Sequence, residues 1–170
     1  MIYKLQTKCS ISKQLYDMAL GASDSDWIAP GAVTSPILRV HVPLEVIKQC
    51  TILSKLVQNF TVDKCVIFKV PPYALYNWHT DDSKPSGSRT CAINMLVHHT
   101  RSSLLLQTHK LNPLTSLFYE HIYEPDTVYI VNSNNPHGII NYEGDRYLLS
   151  LRVVAPTYEQ VVQKSKEINL

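Results

Sequence analysis

The chain has 170 residues, and its 16 Lys and Arg stand against 14 Asp and Glu, a formal net charge of +2. That length suits one core of ordinary size, and an apolar share of 45% with 18% charged residues excludes a charge-rich disordered chain. The basic residues are scattered, so no footprint for nucleic acid stands out, and neither a secretory leader nor an apolar run of membrane-spanning length is read in the sequence.

From the amino terminus, Ser10 is placed to cap a helix with Ile11, Leu15, Met18 and Ala19 on one face, and Gly21 to stop it. Residues 36–42 are β-rich. A second amphipathic helix follows Pro43, its stripe formed by Val46, Ile47, Cys50, Leu53, Leu56, Val57 and Phe60. The first sixty residues thus read as helical with one strand. From Cys65 onward, short β-branched and aromatic runs alternate with turn residues, which predicts strands over 65–70, 73–79, 89–99, 103–110, 116–124, 127–132, 137–141 and 146–154. About eight such strands without an intervening helix predict a jelly roll or related β-barrel, with the cupin-like double-stranded β-helix as the expected fold and the amino-terminal helices packed outside. Residues 158–169 read as a closing helix. We expect a single domain over 1–170, with 1–64 as support, 65–154 as the jelly-roll core and 155–170 as its closure.

Cys9, Cys50, Cys65 and Cys91 form no CxxC pair, which argues against a zinc ribbon and against a disulfide scaffold. Reduced thiols and a cytoplasmic residence are the expectation.

The chemistry concentrates at Tyr76-Asn77-Trp78-His79-Thr80-Asp81-Asp82. In a strand, residues i and i+2 project from the same face, so His79 and Asp81 can point inward together. His137 opens the seventh predicted strand, which a jelly roll brings close to the second. Two His and one carboxylate on one face of an iron leave further positions open for other ligands. Within the last strand Arg146, Leu148, Ser150 and Arg152 share one face, expected to line the pocket, and Tyr147, Leu149, Leu151 and Val153 share the other, expected to pack against helices. Arg146, nine residues after His137, is the candidate for gripping a carboxylate with two parallel hydrogen bonds. The other histidines, His41, His98, His99, His109 and His121, read as surface or strand-face residues, and Tyr76 as a candidate site aromatic.

HxD, a distal His and an Arg nine residues beyond it resemble the 2-oxoglutarate and Fe(II)-dependent oxygenases, especially the prolyl hydroxylase and aspartyl hydroxylase branches. The resemblance spans roughly residues 65–154. The strings NWHTDD, RTCAINML, PHGIIN and RYLLSLR are also similar to small members of that superfamily from viruses of marine cyanobacteria, which would place the protein in a host cytoplasm. The resemblance implies His79, Asp81 and His137 as metal ligands and Arg146 as the base that binds the far carboxylate of 2-oxoglutarate. Arg89 resembles an Arg that some members place near the co-substrate, and Asn94 is a further candidate on the same strand. It implies a dioxygenase of hydroxylase type that couples oxidative decarboxylation of 2-oxoglutarate by dioxygen to oxidation of a primary substrate the sequence does not name, with ascorbate as a helpful reductant. Two alternatives stay open: a non-catalytic jelly-roll protein that holds a structural ion, and a cupin-like metal protein independent of 2-oxoglutarate.

Overall fold

Strands joined by turns too short for a crossover pair antiparallel, and every ladder between the strands named below is antiparallel. The computed structural model describes residues 2–29, 36–81, 90–98, 102–107 and 118–170. Within them the elements run β1 (Ile2–Lys8), α1 (Ser12–Gly21), a single 3-10 turn (Asp24–Asp26), β2 (Leu38–His41), α2 (Leu44–Ile47), α3 (Thr51–Asn59), β3 (Thr61–Val70), β4 (Leu75–His79), β5 (Cys91–His98), β6 (Ser102–Gln107), β7 (Phe118–Ile122), β8 (Thr127–Val131), β9 (His137–Asn141), β10 (Arg146–Ala155) and α4 (Tyr158–Glu167). A major sheet of order β1-β8-β5-β10-β3-β2 faces a minor sheet of order β4-β9-β6-β7, the two layers of a double-stranded β-helix.

Helices cover the outer face of the major sheet, with α1 against β5, α3 against β3 and α4 against β8. Leu15 and Ala19 of α1, Leu53 and Leu56 of α3 and Val161 of α4 join Tyr147, Leu149, Leu151 and Val153 of β10 in the largest apolar cluster. The reading of that face of β10 as helix-covered therefore holds. The opposite face contributes Leu148 to a second cluster, with Ala92, Leu96, Tyr123, Tyr129 and Val131, between the sheets.

Three expectations are corrected. The first sixty residues carry two strands and not one, because β1 pairs with β8 at the margin of the major sheet. Its pattern is weak since only Leu5 of its seven residues is buried, and polar residues such as Lys4 and Lys8 suit an edge strand. The helix expected after Pro43 is two helices, since Cys50 adopts extended backbone (φ −93°, ψ 120°) and starts α3 afresh. Ser10 does not cap α1: the cap position is Ile11, without a side-chain bond, and Gly21 is the last helical residue and not the stop. The closing helix forms as α4, opened by Thr157, whose side chain accepts from the Gln160 amide while the Gln160 side chain returns to the Thr157 amide at 3.0 Å. No helix of the described residues is long and apolar enough to cross a membrane.

Candidate metal centre

The second and seventh predicted strands are β4 and β9, and they pair directly with His79 opposite His137. Between Tyr76, opposite Ile139, and His79, opposite His137, β4 carries one residue more than β9. A regular strand would turn residues three apart to opposite faces. The bulge cancels that flip, so Tyr76, His79, Ile139 and His137 share one face. Asp81 lies past the end of β4 and is brought in by its backbone, whose amide donates to the Ser133 carbonyl at 3.0 Å. The in-strand alternation expected to place it is thus replaced by a tie between two loops.

One donor atom from each of His79, Asp81 and His137 lies within 4.8 Å of the others. Each His Nε2 stands 3.8 Å from a different Asp81 oxygen, too far for a hydrogen bond. Two metal bonds of about 2.1 Å span up to about 4.2 Å, so a first-row ion fits between these atoms. The His137 Nδ1 is 2.9 Å from the Asn135 carbonyl. A carbonyl only accepts, so Nδ1 carries the proton and Nε2 keeps its lone pair for a metal. The rings of His79 and His137 lie 4.3 Å apart, and the Tyr76 ring stands edge-on to His79 at 4.7 Å. His79 is the most exposed of the three side chains and His137 the least. Two imidazoles and a carboxylate suit iron with open positions.

Between the sheets lies a second polar group. Arg146 is fully buried at the start of β10, and none of its three guanidinium nitrogens has a hydrogen-bond partner among the described residues. Its guanidinium lies 5.4 Å from the centre of the Tyr123 ring. Burial pushes its pKa down to about 10, which leaves it charged at neutral pH. An uncompensated buried charge costs several kcal/mol, on the order of 3 to 5 where a partner is missing. Asn94, also buried, donates from Nδ2 to the Tyr123 hydroxyl at 3.1 Å, and its Oδ1 has no partner among the described residues. By register Asn94 stands between Ser150 and Tyr129, so the polar groups occupy the inner face of β5, β8 and β10.

Arg152 is not part of this set. It is half-buried on β10 and bound to Asp63 of β3 through Nε, at 2.6 Å, and through Nη2. Arg89 and the stretch 108–117 lie outside the described residues, as do His99 and His109. His98 stacks on Tyr16 with centroids 4.2 Å apart.

Three residues were not singled out from the sequence. Tyr123 lies beneath Arg146, although a Tyr at a strand end reads as core. His121 is half-buried with its ring against Tyr129 (4.8 Å) and Tyr123 (5.2 Å). Its Nε2 has no partner among the described residues, and burial lowers its pKa. Asn141, wholly buried at the end of β9, offers its Nδ2 to the carbonyls of Val70, Pro71 and Gly144 at 3.0, 2.8 and 2.7 Å. It thereby fixes the turn from which Arg146 emerges. An Asn before Gly144 reads as turn chemistry alone, and nothing in the sequence marks its burial.

No protein-family model and no curated protein matches the chain in sequence. Solved structures do match its fold. A prolyl hydroxylase from Trichoplax adhaerens, in complex with a hypoxia inducible factor oxygen degradation domain peptide fragment, superposes with a TM-score of 0.66 at 14% identity, covering 97% of this chain and 86% of that one. A prolyl-4-hydroxylase from Pseudomonas putida gives 0.66 at 10% identity, over 91% of this chain and 92% of its own. The viral collagen prolyl hydroxylase of Paramecium Bursaria Chlorella virus-1, in its 2-oxoglutarate complex, gives 0.59 at 12% identity, over 92% and 96%. The chain therefore has the double-stranded β-helix fold of these oxygenases.

Proposed function

We propose that the chain is an Fe(II)- and 2-oxoglutarate-dependent oxygenase in which His79, Asp81 and His137 hold the metal and Arg146 holds the far carboxylate of 2-oxoglutarate. The observation that carries this reading is the Arg146 guanidinium, wholly buried and without a hydrogen-bond partner on any nitrogen among the described residues. Buried charges in native proteins are paired, and a small dicarboxylate would supply the missing partner through charge-assisted bonds. The metal cluster alone would suit many cupin-like proteins. Joined to a buried cation nine residues beyond His137, it favours a co-substrate that chelates at one end and is anchored at the other.

Bound Fe(II) would supply the activation of dioxygen that lets 2-oxoglutarate be decarboxylated to succinate while a second substrate is oxidised. The chain's own groups do the rest. The Asn135 carbonyl holds the His137 tautomer, and Asn141 holds the turn before Arg146. Leu96, Leu148 and Val131 share one buried apolar cluster with Tyr123, the ring beside the Arg146 guanidinium, and would keep water from it. Asn94 and Arg89 are further candidates for the co-substrate pocket.

The test combines two measurements. Anaerobic protein with Fe(II) should take up 2-oxoglutarate and develop the visible absorption of a chelate complex, and under oxygen it should release succinate slowly. Arg146→Ala should lower 2-oxoglutarate affinity about tenfold to a hundredfold, the worth of a bidentate charge-assisted contact, while His137→Ala should remove metal uptake. Metal uptake with neither chelate nor succinate would sink the oxygenase reading in favour of a metal-binding cupin-like protein.

A further inference from the structure

Arg146 shares the inner face with a second guanidinium, that of Arg39 on β2. Arg39 lies opposite Phe68 of β3, and Phe68 opposite Leu148 of β10, so the three side chains share the face that looks between the sheets. Their chain neighbours Val40, Ile67 and Leu149 point the other way, into the cluster beneath the helices. The Arg39 amide and carbonyl bond to Ile28 at 3.0 and 2.8 Å. With both groups engaged on that side, Arg39 and Phe68 form a non-hydrogen-bonded pair, the kind in which opposite side chains lie closest.

An apolar wall joins this residue to the metal centre. Phe68 and Tyr76 pack against Ile37, Val70 and Ala74 in one small cluster, and the Tyr76 ring stands 4.7 Å from that of His79. Arg39 itself is half-buried. Its Nε is buried without a hydrogen-bond partner among the described residues, and no carboxylate of those residues pairs with it. An arginine that merely reaches for water at a sheet margin keeps its donors wet, whereas a buried donor left unmet is unfavourable. Arg152 shows the ordinary solution, with Asp63 of β3 as its partner.

We infer that Arg39 determines the specificity of a primary-substrate subsite, and that the primary substrate carries an oxyanion, a carboxylate or a phosphate ester, on an apolar body that lies along Phe68 and Tyr76 toward His79. The inference rests on the proposed function, in which 2-oxoglutarate has one carboxylate at the metal end and gives the other to Arg146. That leaves Arg39 unmet. Arg146 meets Tyr123, whose cluster is built on β5 and β8, whereas β2 is the last strand at the opposite margin of the major sheet. One carboxylate therefore does not serve both guanidiniums, and the second fixed cation calls for a second anion. The planar fork of an arginine can grip either oxyanion with two parallel hydrogen bonds.

The experiment loads the full-length chain with Mn(II) and saturating 2-oxoglutarate, so that Arg146 is occupied. It then reads the Mn(II)-induced proton line broadening of phenylacetate, phenyl phosphate and the neutral phenylacetamide. The two acids separate a carboxylate from a phosphate substrate. At least one of them should broaden saturably and bind about tenfold or more tightly than the amide, the worth of a charge-assisted contact. Arg39→Gln should erase that preference, Arg39→Lys should keep part of it, and Arg152→Ala should leave it unchanged. In parallel anaerobic Fe(II) samples both Arg39 variants should still form the visible 2-oxoglutarate chelate, which shows that they fold and that the co-substrate pocket is intact. Acids that bind no better than the amide in the parent, an acid preference that survives Arg39→Gln, or loss of the chelate in both Arg39 variants would overturn the inference. Failure of the parent to form the chelate would overturn the proposed function itself, and the inference with it.

Discussion

The two faces of β10 follow opposite rules. On the outer face Tyr147, Leu149, Leu151 and Val153 are buried beneath the helices, and Lys69 Nζ lies 5.9 Å from the centre of the Tyr147 ring. On the inner face Arg146, Leu148 and Ser150 are just as buried, yet a guanidinium there has no hydrogen bond to the described residues. One strand thus carries both a foundation and a group whose burial is unfavourable in isolation. Stability is concentrated where the helices cover the sheet, and the two layers of strands enclose buried polar groups, the polar set to which the proposed function assigns a ligand.

Substitutions on the two faces should therefore differ in sign. Leu149→Ala, which empties a fully buried site in the main cluster, should cost about 2 to 5 kcal/mol in urea unfolding. An effect below about 1 kcal/mol would mean the outer face is not the foundation. Arg146→Met should act the other way and stabilise the ligand-free chain by about 1 to 4 kcal/mol, because an unpaired buried charge is replaced by an apolar side chain of similar reach. The same variant should lose 2-oxoglutarate binding. Destabilisation of the ligand-free protein would show that Arg146 is paired within the fold and needs no ligand. Arg152→Ala removes an ion pair with Asp63 that is partly open to solvent, so unfolding measurements should register at most about 1 kcal/mol. Its 2-oxoglutarate affinity should stay within a few-fold of the parent.

The smallest expected effect is one of pH. Burial lowers the His121 pKa from its ordinary 6.5, so the unfolded chain takes up this proton before the folded chain does. Stability contributed by neutral His121 is then present above pH 6.5 and is lost as the pH falls below it. His121→Gln should shrink the stability difference between pH 7.5 and pH 5.5, measured by urea unfolding at both values. An unchanged difference would place His121 in water and outside the inner face.

Much of this arrangement is legible in the chain itself. The period of two in β10 separates Leu149 from Arg146 without any coordinates, and the same alternation with turn residues between runs is enough for the fold class. The meeting of His79 with His137 follows from strand count, since a jelly roll sets its second and seventh strands side by side. What pattern reading handles poorly is any residue whose role depends on one neighbour far away in sequence. β1 was missed because an edge strand has only one partner and little buried surface. Tyr123 and Asn141 were missed because burial alone distinguishes them from an ordinary core Tyr and an ordinary turn Asn.

The sequence by itself determined which side chains alternate, where turns interrupt them, and which two His, one Asp and one Arg are the candidates for chemistry, because these depend on local backbone periods of a few residues. Tertiary structure alone decided that a bulge turns His79 inward, that a Ser133 carbonyl brings Asp81 beside it, and that Arg152 is held by Asp63 while Arg146 has no hydrogen-bond partner among the described residues. Each of those outcomes depends on contacts between segments distant in the chain, where small shifts of register or of one backbone bond change which atoms meet, and no local pattern encodes such shifts.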